Sequence, residues 1–170
     1  MYSYGQEFIN WDNNRKLEWS DFKAKPQNDN PFDAETHWAV KYNTHLSHDT
    51  LVFEILCYVE PEKSWVKKED KTAQLLNHEQ GHFDIGELFT RKLRKALTEH
   101  HFTIDNMQKE IPQIYNMIMQ ECTDFQRQYD KETEHSKDIE EQVIWDQKIA
   151  GSMKALSAYA GSRIRLALKK

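Results

Sequence analysis

Residues 74–93 read Gln-Leu-Leu-Asn-His-Glu-Gln-Gly-His-Phe-Asp-Ile-Gly-Glu-Leu-Phe-Thr-Arg-Lys-Leu, and His78-Glu79-Gln80-Gly81-His82 within them has the spacing H-E-x-x-H. On an α-helix, residues four apart lie one above the other, so both imidazoles reach a single ion. The glutamate after the first histidine sits about 100° round the helix, off the metal axis and placed to take a proton from a water on the metal. With His78 at zero on a helical wheel, His82 falls at about 40°, Ile85 at about −20°, Phe89 at about 20° and Ala96 at about 0°. Both histidines therefore lie inside the apolar stripe that faces the core, whereas a solvated polar face would have put them opposite. The competing reading is a pair of histidines satisfied by hydrogen bonds in a core; the glutamate and the spacing favour a metal helix.

The chain around this stretch has 170 residues, which fits one domain with a real core. Charged residues make up 30% and mean hydropathy is −0.89, while 12% aromatic residues supply bulky core material. Net charge is −5, and the only basic block is the short tail from Arg163 to Lys170, so nucleic acid is not expected as a partner. No apolar run reaches the length of a membrane span. The start, Met-Tyr-Ser-Tyr-Gly-Gln-Glu, lacks the basic and apolar regions of a signal peptide. Two cysteines, Cys57 and Cys122, fix neither a disulfide nor a compartment.

Upstream of the motif the pattern is β-like, over residues 1–63. Phe8 to Phe22 holds two aromatic segments around Asp12-Asn13-Asn14, a small hairpin or an extended arm. Lys25 to Phe32 reads as a loop. Thr36 to Tyr42 and Leu51 to Val59 read as strands, with His45 and His48 as exposed turn residues in preference to a second metal site. From Ser64 the period changes to about 3.6, and residues 66–160 read as three helices. The first runs from about Lys68 to His100, the second from Asp105 to Tyr129 or beyond, and the third from about Lys137 to Ala158. The expected core stripes are Ile114, Met117, Ile118, Cys122 and Phe125 on the second, and Ile139, Val143, Ile149, Met153 and Leu156 on the third. The fold class is thus α+β, a small antiparallel sheet or hairpins followed by three long helices. Gly86, on the core side of the first helix, is read as a close packing contact.

A catalytic zinc takes three protein ligands and keeps an open position. Glu87 points about 180° away from His78, and Asp84 lies at about −120°, so neither shares the ion. A third histidine in the long metzincin pattern would stand at position 88, which is leucine. His135, in a polar segment between two helices that must pack back on the first, is the leading third ligand; a solvated loop histidine is the alternative. Tyr129 is either an oxyanion-stabilising hydroxyl or a packing residue. Asp130 either orients a ligating histidine from behind or serves the helix end.

Three segments, Arg15-Lys16-Leu17-Glu18-Trp19-Ser20-Asp21-Phe22, Leu76-Asn77-His78-Glu79-Gln80-Gly81-His82-Phe83-Asp84-Ile85, and Tyr129-Asp130 with Thr133 and His135, together resemble a bacterial family of unknown function regarded as secreted zinc-dependent proteases. The resemblance extends from about residue 9 to 150. It implies a zincin-like fold, Zn²⁺ as cofactor, ligand roles for His78 and His82, a base role for Glu79, and a secreted or periplasmic location. The chain departs from that pattern in lacking a leader segment and in carrying Ser136 where glycine is expected.

Three functions follow. The first is a zinc metallopeptidase acting on a peptide or protein substrate, with His78, His82 and His135 on the metal and Glu79 as base. The second is a non-catalytic domain of the same frame used for binding. The third is a di-iron carboxylate oxidoreductase pairing Glu79-x-x-His82 with Glu132-x-x-His135, which would need two more inward glutamates on two further helices.

Overall fold

A computed structural model describes residues 8–26 and 30–168. In chain order these form strands β1 (Ile9–Asn10), β2 (Ala34–Glu35), β3 (Trp38–Ser47), β4 (Thr50–Val59) and β5 (Trp65–Val66), helices α1 (Ala73–Glu99), α2 (Met107–Glu132) and α3 (Ile139–Ala155), and a closing strand β6 (Arg163–Ala167). The class is α+β, with antiparallel sheets and three helices. No described helix is long and apolar enough to cross a membrane.

β4 organises the larger sheet. Its alternate residues Leu51, Phe53, Ile55, Cys57 and Val59 are all buried, the period-two pattern of a strand with one face on a core. β3 pairs with it along its whole length, from Trp38 opposite Val59 to Ser47 opposite Thr50. The two-residue connection places His48 at φ 58. On its other edge β4 pairs with β1 at one end and with β6 at the other. β6 was not expected: only Ile164 and Leu166 mark an inward face, too short an alternation to stand out beside the basic residues around it.

From Phe8 on, the described residues of the N-terminal segment form an extended arm. After β1 it makes a turn bridged by Asp12 and Arg15 and a short 3-10 turn at Trp19–Asp21. Leu17 and Phe22 are buried with Val59, Val66, Leu75 and Phe83. Trp11 Nε1 donates to Asp84 (2.7 Å) and Leu17 N to Gln80 Oε1 (2.8 Å), tying the arm to α1.

α1 is enclosed on almost every side, by β3 and β4 on one flank and by α2 and α3 on the others. It begins at Ala73, later than the periodicity suggests, because Lys68–Asp70 forms a 3-10 turn and Thr72 caps the helix through its hydroxyl and Leu75 N. Enclosure means that its charged residues must be paired. Glu87 bridges Arg91 (3.0 Å) and Arg94 (2.9 Å), and Arg94 also donates to Ile55 O at 2.7 Å. Gly86 is a packing glycine as expected, since a Cβ there would lie 2.8 Å from the Trp38 ring and 3.0 Å from Cys57 Sγ.

The helical stripes differ in part from expectation. On α3 the buried row is Gln142, Trp145, Ile149 and Met153, while Ile139 and Val143 are exposed. On α2, Ile118, Cys122 and Tyr129 are buried and Met117 is exposed. Phe125, half-buried between Phe89 and Trp145, packs at the margin of that row. Cys57 and Cys122 are free, buried thiols; burial pushes the Cys122 thiol up to about 12, and raises that of Cys57 as well.

Candidate metal centre

Three side chains from two helices converge on one point. Nε2 of His78 and Nε2 of His82 are 3.2 Å apart. Asp130 Oδ1, reaching in from α2, is 3.2 Å from the first and 3.0 Å from the second. His78 is 2% exposed, and the other two open onto a cleft. These three residues form a group able to hold a metal ion.

The outer nitrogens of both rings face glutamines. His78 Nδ1 lies 3.1 Å from Gln142 Oε1 on α3, and His82 Nδ1 lies 2.6 Å from Gln126 Oε1 on α2. Gln142 Nε2 donates to Tyr129 and Asp146, and Gln126 Nε2 donates to the carbonyl of His82, so each amide is oriented with its oxygen toward the ring. Each ring thereby keeps a proton on Nδ1 and turns Nε2 toward Asp130. The three inward atoms meet at hydrogen-bond distance, an arrangement that a shared proton or a metal ion at its centre can satisfy.

The charges respond accordingly. For His82, burial would lower the pKa, but the hydrogen bond to Asp130, the charges of Glu79 and Asp130 and the Gln126 contact outweigh it and raise it to about 9. For Asp130, burial works upward, yet hydrogen bonds to both histidines and their charges hold its carboxyl well below the usual range.

Glu79 is 3% exposed, and its Oε2 accepts from the Thr36 hydroxyl at 2.6 Å. Thr36 lies between β2 and β3, so the strand region fixes a carboxylate carried by the helix. Glu79, His78, His82, Asp130 and His135 all line one cleft of about 730 Å³, together with Phe32, Trp38 and Lys137.

Tyr129 does not line this cleft. Its ring stacks on His78 (centroids 4.6 Å apart, 15° between planes) and is fully buried. The hydroxyl donates to the carbonyl of His78 (3.0 Å) and accepts from Gln142 (2.8 Å). Burial pushes its pKa far above the ordinary tyrosine range despite the bond from Gln142. The expected oxyanion role is therefore corrected to packing: the hydroxyl is committed behind α1, where Gly81 leaves room for it.

Asp130 and His135 exchange the places expected of them. Asp130, expected behind a ligand, supplies the third converging atom. His135, expected as that ligand, stands one step out: its Nδ1 is 3.5 Å from Asp130 Oδ1, its side chain is half exposed, and its ring packs on Phe32. The reason is local. Glu134, His135 and Ser136 have φ of 47°, 52° and 78°, a left-handed run that reverses the chain after α2 and swings His135 to the rim. His135 N donates to Asp130 O and Asp138 N to Thr133 O, both at 2.9 Å, closing this turn. Gln74 on α1 donates to the carbonyl of Ser136. The second Glu-x-x-His pair does not form a site, since Glu132 accepts from Trp145 Nε1 (2.8 Å) and Gln128 and lies outside the cleft.

Residues 60–136 match a bacterial protein family of unknown function, DUF922. Neither a curated protein nor a solved structure matches the chain. The DUF922 match takes in the whole converging triad, Glu79 and the left-handed turn. Thr36 and Gln142, which hold Glu79 and His78, lie outside it. Neither was singled out from the sequence. Gln142 had one legible sign, a polar residue heading the row Trp145, Ile149 and Met153 at helical spacing; Thr36 had none, because nothing local connects it to residue 79.

Proposed function

We propose that this chain is a zinc-dependent metallopeptidase of zincin-like architecture. The observation that carries the reading is the triangle His78 Nε2, His82 Nε2 and Asp130 Oδ1, with edges of 3.0 to 3.2 Å. A tetrahedral ion with bonds of about 2.0–2.1 Å has ligand–ligand edges of about 3.3 Å, so the donors need almost no movement to hold zinc. Two imidazoles and one carboxylate leave the fourth position open to the cleft. Bound there, zinc supplies Lewis-acid polarisation of a carbonyl and acidifies water.

The rest of the chemistry falls to the chain. Glu79 has one oxygen fixed by Thr36, and Oε1 takes the proton from the attacking water and returns it to the departing amine. Gln142 and Gln126 keep both rings in the tautomer that binds a metal. Among the described residues the outer edge of β3 is unpaired, and Trp38 at its start borders the cleft, so an extended peptide can lie along β3 as an added strand.

The test is cleavage of a mixed peptide library by zinc-loaded protein and by Glu79→Gln. Cleavage that falls by about 10²–10⁴-fold in the variant, at equal zinc content, supports the reading. Bound zinc with no turnover of any peptide contradicts it and favours a binding module of the same frame.

A further inference from the structure

Two features of the sequence find no use in the metal centre: His45 and His48, of which the first lies in β3 and not in the turn where it was expected, and the basic residues near the C-terminus. The sheet brings them together. In the register of β3, β4 and β6, His45, Val52 and Arg165 form one cross-strand row, and Asn43, Glu54 and Arg163 form the next. Residues two apart on a strand share a face, so His45, Arg163 and Arg165 all project from the side opposite the core.

With His48 and Asp49 they wall a concavity of about 480 Å³. Val52 forms its floor and is only 5% exposed although it points to that outer face. Two carboxylates stand nearby. Asp49 accepts from the Thr50 hydroxyl at 3.3 Å, and Glu54 sits opposite Arg163 in the register.

The arginines set this place apart. The chain has six, and Arg15, Arg91, Arg94 and Arg127 each have a carboxylate partner within 3.2 Å. Arg163 and Arg165 have no ion pair or side-chain hydrogen bond with any described residue. In a chain of net charge −5, two neighbouring guanidinium groups that make no ion pair with the nearby Asp49 and Glu54 stand on one wall of a concavity.

We propose that this concavity binds a phosphate-bearing ligand. One guanidinium fork already saturates the two oxygens of a carboxylate. Two forks about 6–7 Å apart along a strand, with an imidazole N–H across the row, match a group with three acceptor oxygens and more than one negative charge. A soluble phosphoester and the headgroup of an anionic lipid share that chemistry. The inference is independent of the metallopeptidase reading, since none of these residues borders the metal cleft.

The experiment follows backbone amide shifts of the ¹⁵N-labelled full chain as inorganic phosphate is added, with acetate at equal ionic strength as control. In parallel the chain is sedimented with vesicles of phosphatidylcholine, with and without phosphatidylglycerol. Shifts over residues 45–52 and 163–167 are expected with phosphate and not with acetate. The double variant Arg163→Gln/Arg165→Gln weakens binding by roughly tenfold or more, and Glu54→Gln, which removes a repelling charge, strengthens it. Binding to phosphate in solution without sedimentation identifies a soluble phosphoester; sedimentation only with phosphatidylglycerol identifies a headgroup. The proposal is overturned by equal binding in the double variant, by equal shifts with acetate, or by neither phosphate shifts nor vesicle binding.

Discussion

Nε2 of His78 lies 3.2 Å from Nε2 of His82, while the opposite nitrogen of each ring faces a glutamine oxygen. Without a metal, a proton must fill the gap between these rings and Asp130, and it resides on His82, whose pKa is raised to about 9 from 6.5. The sign is that of a raised folded-state pKa. In metal-free protein the stabilisation is fully present below pH 6.5 and is lost as pH rises through about 9. Zinc competes with that proton. Calorimetry in buffers of different ionisation enthalpy at neutral pH is expected to show about one proton released per zinc, fading above pH 9. The melting temperature of the metal-free chain should fall across the same window, and that of the zinc-loaded chain should not.

Gly81 is kept by Tyr129. A Cβ at position 81 would lie 2.7 Å from the Tyr129 ring carbon that bears the hydroxyl, and closer still to the hydroxyl itself. Alanine ordinarily gains about 1 kcal/mol over glycine in a helix. Here Gly81→Ala is expected to destabilise by about 1–3 kcal/mol through overpacking, and to loosen His78 by displacing the ring stacked on it. Chemical denaturation measures the first effect and zinc affinity the second.

Ser136 occupies a glycine conformation. With φ at 78° it carries the largest deviation of the left-handed run, and an L side chain there is strained. Ser136→Gly should raise stability by about 0.5–1 kcal/mol in a denaturant titration, while leaving zinc stoichiometry unchanged.

Among the described residues, Glu87 is the carboxylate joined to both Arg91 and Arg94 in the enclosed part of α1. Glu87→Ala leaves two buried guanidinium groups without their shared partner, and the expected cost is about 3–5 kcal/mol. Arg91 also donates to Met153 O at 2.9 Å and Arg94 to Ile55 O at 2.7 Å; a melting temperature that hardly moves would show that these two carbonyls suffice for the arginines.

The sequence made α1, the second strand of the hairpin and the His78-Glu79-His82 trio legible, because each is a local pattern: a period or a four-residue spacing. The first strand runs on to Ser47, past its expected end at Tyr42, because its pairing with β4 continues to the turn. The geometry that completes the site is non-local. Asp130 and His135 are five residues apart, and which of them faces the histidines depends on three successive left-handed residues that no periodicity announces. Tyr129 could not be assigned from its own chemistry, since its fate depends on the absent side chain of Gly81 on another helix. The Gln142 and Thr36 contacts arise only after three layers have packed. Met117, Ile139 and Val143 have the apolar type of core residues but not the phase, whereas Gln142 and Trp145 carry the inward row of α3.

The central claim is that His78, His82 and Asp130 hold one zinc ion. Its most direct test is the zinc content, by mass spectrometry of metals, of the wild type beside Asp130→Ala and His135→Ala, each dialysed against a weak chelator. One equivalent in the wild type and in His135→Ala, with loss in Asp130→Ala, is the predicted result. Retention by Asp130→Ala together with loss in His135→Ala would contradict it and restore His135 as the third ligand.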